Sequence, residues 1–291
     1  VYSFKTKSNT ILFDLSDLIK KYGLISDILL FQNDIYISFK NDGIIKLDRR
    51  NNYSPEIVSS GIGIFCMLKD RKQDILWIGT DGQGVQMYYQ NREMFRNIMS
   101  SSLPVATQKP IRSLYTDEYD NLWIGTKGDG IIQIKNYSSF DNTKKTVPAC
   151  NHYTTANDLS NNSVFCFLRS KYNDIIWIGT DGPGLSYYSY KENRIKTLYN
   201  DQIGKVHSIC EVDAQTLWLA TAGNGMLEIK LKNNNTQLSI DTVNGYFLKI
   251  GDRFCNEFHS MSYDGNKTLF IGSRGGYGVV RFNVESKQYD F

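Results

Sequence analysis

The 291-residue sequence is poor in several residue types, and each shortage excludes a class of protein. It holds only 5 prolines against 19 tyrosines, 15 phenylalanines and 4 tryptophans, a balance that favours strands over linkers. Its formal net charge of +3 gives no strong field, so we expect no nucleic-acid partner. It contains no run of about 18 apolar residues, so we expect no membrane-spanning helix and no membrane contact. The chain opens at Val1 rather than Met, which we interpret as a fragment of a longer protein.

The five cysteines form no CxxC pair, and their odd number allows at most two disulfides. Cys66, Cys166 and Cys210 fall inside apolar runs typical of strands. Because cysteine packs well as a small apolar residue, we expect buried free thiols. Such a chain is compatible with an oxidising compartment without requiring one.

One short phrase recurs along the chain. In residues 75–85 it reads Ile-Leu-Trp-Ile-Gly-Thr-Asp-Gly-Gln-Gly-Val, and its weakest copy begins at Ile35. Its aromatic position is held in turn by Tyr36, Trp77, Trp123, Trp177, Trp218 and Phe270. Successive aromatic residues lie 41 to 54 residues apart, which is typical of the blades of a propeller.

Each copy can be interpreted as part of a four-stranded sheet. The apolar-aromatic-apolar-Gly-Thr segment predicts a strand, with Gly where neighbouring blades approach closely. The Asp-Gly-x-Gly segment predicts a tight hairpin, because glycine adopts the positive φ that such turns need. Apolar runs on either side supply two more strands, and the variable stretches between copies must supply the fourth.

We therefore predict an all-β fold, a β-propeller of four-stranded antiparallel blades that spans residues 1–291 as one domain. The predicted blade cores lie near residues 24–49, 62–90, 110–136, 162–190, 205–232 and 256–285. Six units are visible, while a seventh blade and an incomplete ring both stay open. We expect Val1–Lys5 to supply an outer strand that pairs with the last unit, Val279–Phe291. Asp14–Lys21 is expected to form the one helical turn.

The motif Leu122-Trp123-Ile124-Gly125-Thr126-Lys127-Gly128-Asp129-Gly130-Ile131 and its copies resemble the two-component regulator propeller repeat. The resemblance covers roughly residues 24–285. Such repeats form the periplasmic sensor regions of hybrid two-component systems in Bacteroides-type bacteria, where propellers precede a membrane helix and a histidine kinase. This chain departs from the full pattern, because it shows no kinase, no membrane helix and fewer clear blades.

The resemblance implies a non-catalytic, ligand-sensing propeller in the periplasm, within a protein that carries a histidine kinase elsewhere. It implies an oligosaccharide or other small ligand as partner, and homodimerisation through the complete sensor region. It supplies no residue-level binding motif, so candidate ligand contacts must come from the geometry of the repeat.

That geometry nominates a surface at one end of the blades. The second residue of each innermost strand is predicted to face the mouth of a central channel, on the face that carries the Asp-Gly-x-Gly hairpins. The candidate rim residues are Phe65, Arg112, Phe165, His207 and His259. The candidate hairpin-tip residues are Asp81, Lys127, Asp129, Asp181, Asn224, Arg274 and Tyr277. Arginine can donate forked hydrogen bonds to carboxylates or sugar hydroxyls, and aromatic rings can stack on sugars. The alternative is that the phenylalanines belong to the core and the polar residues line a wet channel.

The Asp-Gly-x-Gly loops lack the alternating carboxylates of a calcium site, so we expect no metal and no cofactor. The first alternative function is a protein-interaction or dimerisation propeller without a small ligand, using the connections Tyr137–Thr155 and Asp241–Asn256. The second is a metal-assisted lyase or lactonase, for which His207, His259 and the nearby Glu257 would be the candidates. Adjacent blades give that reaction two histidine ligands, where three or more ligands are usual.

Overall fold

The computed structural model describes residues 2–3, 8–9, 14–89, 96–98, 105, 107–139, 149–233, 238–250, 253–274 and 278–290. The chain divides into two compact units, Val1–Ser102 and Leu103–Phe291. Both units are built from four-stranded antiparallel sheets in which consecutive strands are neighbours. We call these sheets blades 1 to 6 in chain order.

The first unit contains blades 1 and 2. Blade 1 consists of β3 (Ile25–Phe31), β4 (Asp34–Phe39), β5 (Ile44–Asp48) and β6 (Ser54–Ser59). Blade 2 consists of β7 (Ile64–Lys69), β8 (Ile75–Thr80), β9 (Val85–Tyr89) and β10 (Arg96–Ile98). A short ribbon pairs β1 (Tyr2–Ser3) with β2 (Ser8–Asn9). Helix α1 (Ser16–Tyr22) ends at Gly23 and packs Leu18 into an apolar cluster with Ile37 of blade 1.

The second unit contains blades 3 to 6. Blade 3 consists of β11 (Ile111–Thr116), β12 (Leu122–Thr126), β13 (Ile131–Ile134) and β14 (Cys150–Tyr153). Blade 4 consists of β15 (Val164–Arg169), β16 (Ile175–Thr180), β17 (Leu185–Ser189) and β18 (Arg194–Leu198). Blade 5 consists of β19 (Val206–Asp213), β20 (Thr216–Thr221), β21 (Met226–Asn233) and β22 (Leu238–Tyr246). A ribbon of β23 (Leu248–Ile250) and β24 (Arg253–Cys255) precedes blade 6, which consists of β25 (Phe258–Tyr263), β26 (Thr268–Ser273), β27 (Val279–Asn283) and β28 (Tyr289–Asp290).

The recurring phrase forms the second strand of each blade. Its aromatic residue is buried in the core in blades 1 to 5, whereas Phe270 of blade 6 is half-buried. All four tryptophans are at most 1% exposed. In the second unit the core lies between successive blades: Trp177 of blade 4 shares an apolar cluster with Ile209 and Leu219 of blade 5. In blades 2 to 5 the second strand is buried along its whole length, so its alternate side chains are buried on both faces of the sheet. The predicted all-β fold of four-stranded antiparallel propeller blades is confirmed.

In blades 3 and 4 the recurring glycine of the phrase lies where the next blade approaches, as predicted. A Cβ atom on Gly179 of blade 4 would lie 2.5 Å from Cys166 Sγ and 2.6 Å from the backbone oxygen of Val206 in blade 5. A Cβ atom on Gly125 would lie 2.9 Å from Val164 Cγ1 of blade 4. Such distances leave no room for a side chain, so glycine here permits close packing of the blades.

The first strand of each blade, which we call its innermost strand, begins with a β-bulge. In blade 4, Val164 pairs with Thr180 and Cys166 pairs with Gly179, so Phe165 between them is left out of the ladder. The same register shift flanks Ser26, Phe65, Arg112, His207 and His259. A bulge re-aims the side chain of the extra residue. The candidate rim residues are therefore the bulge residues of their blades.

Three sequence-based expectations about connections need correction. Tyr2–Ser3 pairs with Ser8–Asn9, and blade 6 takes its outer strand from Tyr289–Asp290, so the predicted pairing of Val1–Lys5 with the last unit is wrong for the residues described. The stretches expected as irregular connections contain β14, part of β22 and the β23–β24 ribbon. The helix occupies Ser16–Tyr22, slightly later than predicted.

All five cysteines are free thiols in the structure. Burial raises the pKa of the Cys210 thiol to about 11, so it stays protonated at neutral pH. Within the ranges described, no helix has the length and apolar character needed to cross a membrane.

Candidate functional site

Four of the five candidate rim residues meet in the second unit. The innermost strands of blades 3 to 6 are β11, β15, β19 and β25. Each of the first three contacts the innermost strand of the next blade. Their bulges therefore bring Arg112, Phe165, His207 and His259, one from each blade, into a continuous contact series. We call these four residues the inner-strand row.

The inner-strand row is held by ring and guanidinium contacts. The Arg112 Cζ atom lies 4.4 Å from the centroid of the Phe165 ring, a cation–π distance. The Phe165 and His207 rings stack with centroids 4.1 Å apart and an interplanar angle of 25°. The His207 and His259 rings then meet edge to face, with centroids 4.4 Å apart and an angle of 75°. Phe165 is thus contacted by the residue before it and the residue after it in the row.

The two histidines are joined by a hydrogen bond between like atoms. Their Nδ1 atoms lie 2.8 Å apart. One Nδ1 must donate and the other must accept, so a single proton lies between the rings. This fixes the tautomers of the pair relative to each other and leaves the Nε2 atom of His207 as its second hydrogen-bonding atom.

The row lies in a positive environment. Burial, followed by His259 and the cations Arg112, Arg274 and Lys205, lowers the pKa of His207 from 6.5 to about 3. His207 is therefore neutral at physiological pH, and one more proton there is opposed by every cation around it.

Arg112 is the member of the row with a permanent charge. Burial lowers its pKa, while the carboxylate of Asp181 acts in the opposite direction. Its Nη1 atom is buried and has no hydrogen-bond partner among the described residues. Buried guanidinium groups are normally paired, so this atom is a notable exception.

The hairpin tips lie beside the starts of the innermost strands. In every blade, the residue that follows the second strand donates its backbone N–H to the carbonyl that precedes the first strand, at 2.8 to 3.1 Å. These bonds join Lys40 to Leu24, Asp81 to Gly63, Lys127 to Pro110, Asp181 to Ser163, Ala222 to Lys205 and Arg274 to Glu257. Within each blade, tip and bulge therefore share one face, as predicted.

The tip residues of the second unit differ in their relation to the row. Asp181 acts on Arg112, and Arg274 acts on His207. Arg274 also pairs with Glu257, its Nη1 atom lying 3.4 Å from Oε2. Asp181 and Arg274 are thus the tip residues whose charge reaches the row.

The other tip residues have local partners. The carboxylate of Asp129 accepts a 2.6 Å hydrogen bond from Thr107 Oγ1, and Asn224 Nδ2 donates to the carbonyl of Gln202 at 3.1 Å. The Lys127 side chain is exposed. Tyr277 lies outside the described residues. The assignment of these residues to a ligand site stays a prediction.

Two candidates belong to the first unit. Phe65 is half-buried, with the ammonium of Lys40 5.9 Å from the centroid of its ring. Asp81 is exposed at the tip of the blade 2 hairpin. Both therefore occupy, in their own blade, the positions that the bulge and tip residues occupy in the second unit.

Sequence reasoning missed Lys205 as a contributor to the site. Lys205 immediately precedes β19 and has a positive φ of 48°, and its charge acts on His207. Its position one residue before an innermost strand was the available signal. Within the described residues, no group of three or more histidine, cysteine, aspartate or glutamate side chains could hold a metal ion.

Sequence comparison identifies the repeats. The two-component regulator propeller model matches residues 107–128 and 158–182, which contain the first two strands of blades 3 and 4 with bulge residues Arg112 and Phe165. The protein named histidine kinase P4 of Formosa agariphila is 26% identical over 280 residues, which cover 93% of this chain and 19% of that protein. The chain thus spans about a fifth of the length of this relative.

Two solved structures are similar in backbone. The β-propeller domain of Cps50 (Swd1) from Myceliophteria thermophila matches with a TM-score of 0.64 and 9% identity, over 92% of this chain and 85% of that chain. The second structure is the extracellular domain of BT4673 from B. thetaiotaomicron, which is described as a hybrid two-component system. The match covers 99% of this chain and 37% of that chain, with a TM-score of 0.47 and 20% identity. The blades and the likeness to Cps50 define the chain as a β-propeller protein. Two of its repeats, in blades 3 and 4, match the two-component regulator propeller model.

Proposed function

We propose that this chain is the ligand-sensing region of a two-component receptor and that it binds an oligosaccharide at the inner-strand row. The observation that carries the proposal is the row itself. Four blades each contribute one bulge residue to the row. Three of the four side chains are polar and the fourth is aromatic, whereas a position that serves packing alone would be expected to hold aliphatic residues. A site assembled from separate blades can also respond to a ligand through small shifts between blades.

The comparisons support the signalling part of the proposal. Two repeats match the two-component regulator propeller model, and the relative from Formosa agariphila is named a histidine kinase of which this chain matches a fifth. We therefore propose that the catalytic kinase lies elsewhere in the complete receptor and that this region is non-catalytic. We place it in the periplasm, because a receptor for external saccharides must present its site outside the inner membrane. Homodimerisation of the complete sensor region is part of the same proposal.

A glycan panel tests the proposal on the 291-residue chain. We expect at least one oligosaccharide to raise its melting temperature and to release heat in calorimetry, because a ligand that binds only the folded state stabilises it. Phe165→Ala should abolish the response, because it removes the ring that aligns Arg112 and His207.

Tyr172→Ala is the matched control. Tyr172 is a half-exposed aromatic residue in the turn at the other end of blade 4, so its removal should leave the response unchanged. Cooperative melting of both variants shows that they fold. If no saccharide changes the melting of the unmodified chain, or if Phe165→Ala responds as strongly as Tyr172→Ala, the proposed site is wrong.

A further inference from the structure

The chemistry left available at the row favours hydrogen bonding over stacking. Phe165 is engaged by the Arg112 guanidinium and by the His207 ring. These neighbours come from the blades on either side, so both faces of the Phe165 ring are used within the protein. A ligand would meet the guanidinium and the imidazoles rather than an open aromatic face.

The Arg112 guanidinium lacks a hydrogen-bond partner for one of its nitrogen atoms within the described part of the chain. Arg169 is a fully hydrogen-bonded arginine with which it can be compared. The Arg169 guanidinium donates to Glu118 at 2.7 Å, to Asp174 at 2.8 Å and to the carbonyls of Asn173 and Ile175. Arg112 instead has a buried Nη1 atom without a hydrogen-bond partner among the described residues. A guanidinium carries five N–H donors in a planar fork that matches the oxygens of a carboxylate or sulfate.

The charges around the row are unevenly balanced. Arg112, Lys205 and Arg274 all act on His207, and His207 is itself neutral. Of the carboxylates nearby, Glu257 pairs with Arg274, and Asp181 is the one that acts on Arg112. Asp181 is exposed at its hairpin tip, and so are Lys205 and Arg274, so solvent screens all three of these charges. The half-buried Arg112 guanidinium is the charge that solvent screens least, and it attracts an anion.

We infer that the saccharide bound at the row carries an anionic group, a carboxylate or a sulfate, and that the Arg112 guanidinium binds this group. The inference rests on the proposed function, and it adds the chemical class of the ligand. The Nε2 atom of His207 lies on the next polar ring of the row and supplies a second hydrogen-bonding atom for the same ligand. A neutral sugar of the same size would leave Arg112 unpaired and would bind more weakly.

The test compares matched saccharides by calorimetry on the 291-residue chain. The set contains an oligouronate, the same oligosaccharide with its carboxyl groups reduced to alcohols, and a sulfated derivative of the reduced form. We expect reduction to weaken binding by about tenfold or more, since a charge-assisted bidentate pair is lost. The sulfated and uronate arms distinguish the two anionic groups. Equal affinity for the uronate and its reduced form would overturn the inference and leave saccharide sensing intact.

Substitutions assign the effect to Arg112. Arg112→Gln should remove the preference for the acidic ligand, while Arg112→Lys should keep part of it, because the charge remains and the fork is lost. Arg194→Gln is the control, since Arg194 is an exposed arginine on the outer strand of blade 4 that pairs with Glu192. A preference that survives Arg112→Gln, or one that Arg194→Gln removes equally well, would refute a specific anion site.

A simple anion separates failure of this inference from failure of the proposed function. Sodium sulfate is titrated while the imidazole resonances of His207 are followed by NMR, with sodium chloride at equal ionic strength as reference. We expect a saturable shift that Arg112→Gln abolishes. If no saccharide binds but this shift is seen, the oligosaccharide proposal fails and the anion site stands. If the shift is absent, or is equal in Arg112→Gln, the anion site fails whatever the saccharides do.

Discussion

The side chains of the row show how a shared repeat position acquires a particular chemistry. The bulge places one residue of every blade outside the ladder, and the residue type at this position differs between blades. Ser26 and Phe65 occupy this position in the first unit, whereas the second unit has Arg112, Phe165, His207 and His259. Their identity was readable in the sequence. Their contacts were not, because they depend on neighbouring blades and on side-chain rotamers.

At this scale the first prediction concerns His207 and pH. Its folded-state pKa of about 3 lies below the 6.5 of the free side chain, because of burial and the charges of His259, Arg112, Arg274 and Lys205. Between these two pH values the unfolded chain binds a proton that the folded chain does not. The contribution of His207 to the free energy of unfolding should therefore fall as pH falls from 6.5 towards 3. The slope is at most about 1.4 kcal/mol per pH unit, reduced because part of the ring meets solvent.

Denaturation at a series of pH values measures this effect. His207→Gln, which cannot gain a proton, should lose less stability on acidification than the unmodified chain. His152→Gln, at an exposed histidine on β14, serves as control. An acid-stability curve for His207→Gln that runs parallel to that of the unmodified chain would show that His207 is not held neutral.

Two buried tryptophans give a second residue-scale prediction. The indole N–H of Trp177 donates to Glu211 Oε1 at 3.1 Å, whereas the indole nitrogen of Trp218 is buried without a hydrogen-bond partner among the described residues. Replacement by phenylalanine removes a needed donor in the first case and an unsatisfied donor in the second. Trp177→Phe should therefore reduce the free energy of unfolding by about 1–3 kcal/mol more than Trp218→Phe. Urea denaturation of the two variants at neutral pH is the measurement, and equal losses would contradict the assigned bond.

At the scale of the strand and blade, the sequence predicted the regular part of each repeat. The first three strands of each blade carry the apolar runs, the buried aromatic residue and the glycine turn, so their positions follow from local pattern. The outer strands were harder to place. Cys150–Tyr153 lies on the edge of blade 3 with a half-polar sequence, and Leu238–Tyr246 exposes polar residues along much of its length. Such strands are defined by pairing with the third strand rather than by their own hydrophobic pattern.

Blade contact gives the third prediction. A Cβ atom at position 179 would be forced against the Val206 backbone of blade 5 at 2.6 Å, and backbone cannot move aside as a flexible side chain can. Gly179→Ala should therefore lower the free energy of unfolding by about 1–3 kcal/mol through overpacking between blades. Gly204→Ala is the matched control, because its Cβ atom would meet only Asn224 Nδ2, at an ordinary 3.9 Å.

Thermal and urea denaturation of both glycine variants measure the difference. A Gly179→Ala variant as stable as Gly204→Ala would mean that blades 4 and 5 are less closely packed than their described contacts require. The same comparison tests the reason given for the glycine in the recurring phrase, which is that neighbouring blades approach closely there.

At the scale of the whole molecule, signalling by the proposed receptor requires more than a folded set of blades. A ligand changes kinase activity only if it binds one arrangement of the sensor region more tightly than another. The row joins four blades of one unit, so a bound anion that draws on Arg112 and His207 would favour one arrangement of those blades. A substitution at the row should therefore change how much ligand is needed rather than how strongly the saturated receptor signals.

The corresponding prediction is made for the complete receptor in membranes, with autophosphorylation followed at increasing concentrations of the acidic oligosaccharide. Arg112→Gln should raise the half-maximal concentration by about tenfold or more, because the pair with the anion is lost in the state that binds. The maximal response should stay the same, since saturating ligand still selects the same state. Arg194→Gln should superimpose on the unmodified receptor. A reduced maximum with an unchanged half-maximal concentration would instead show that Arg112 couples the blades to the kinase and does not contact the ligand.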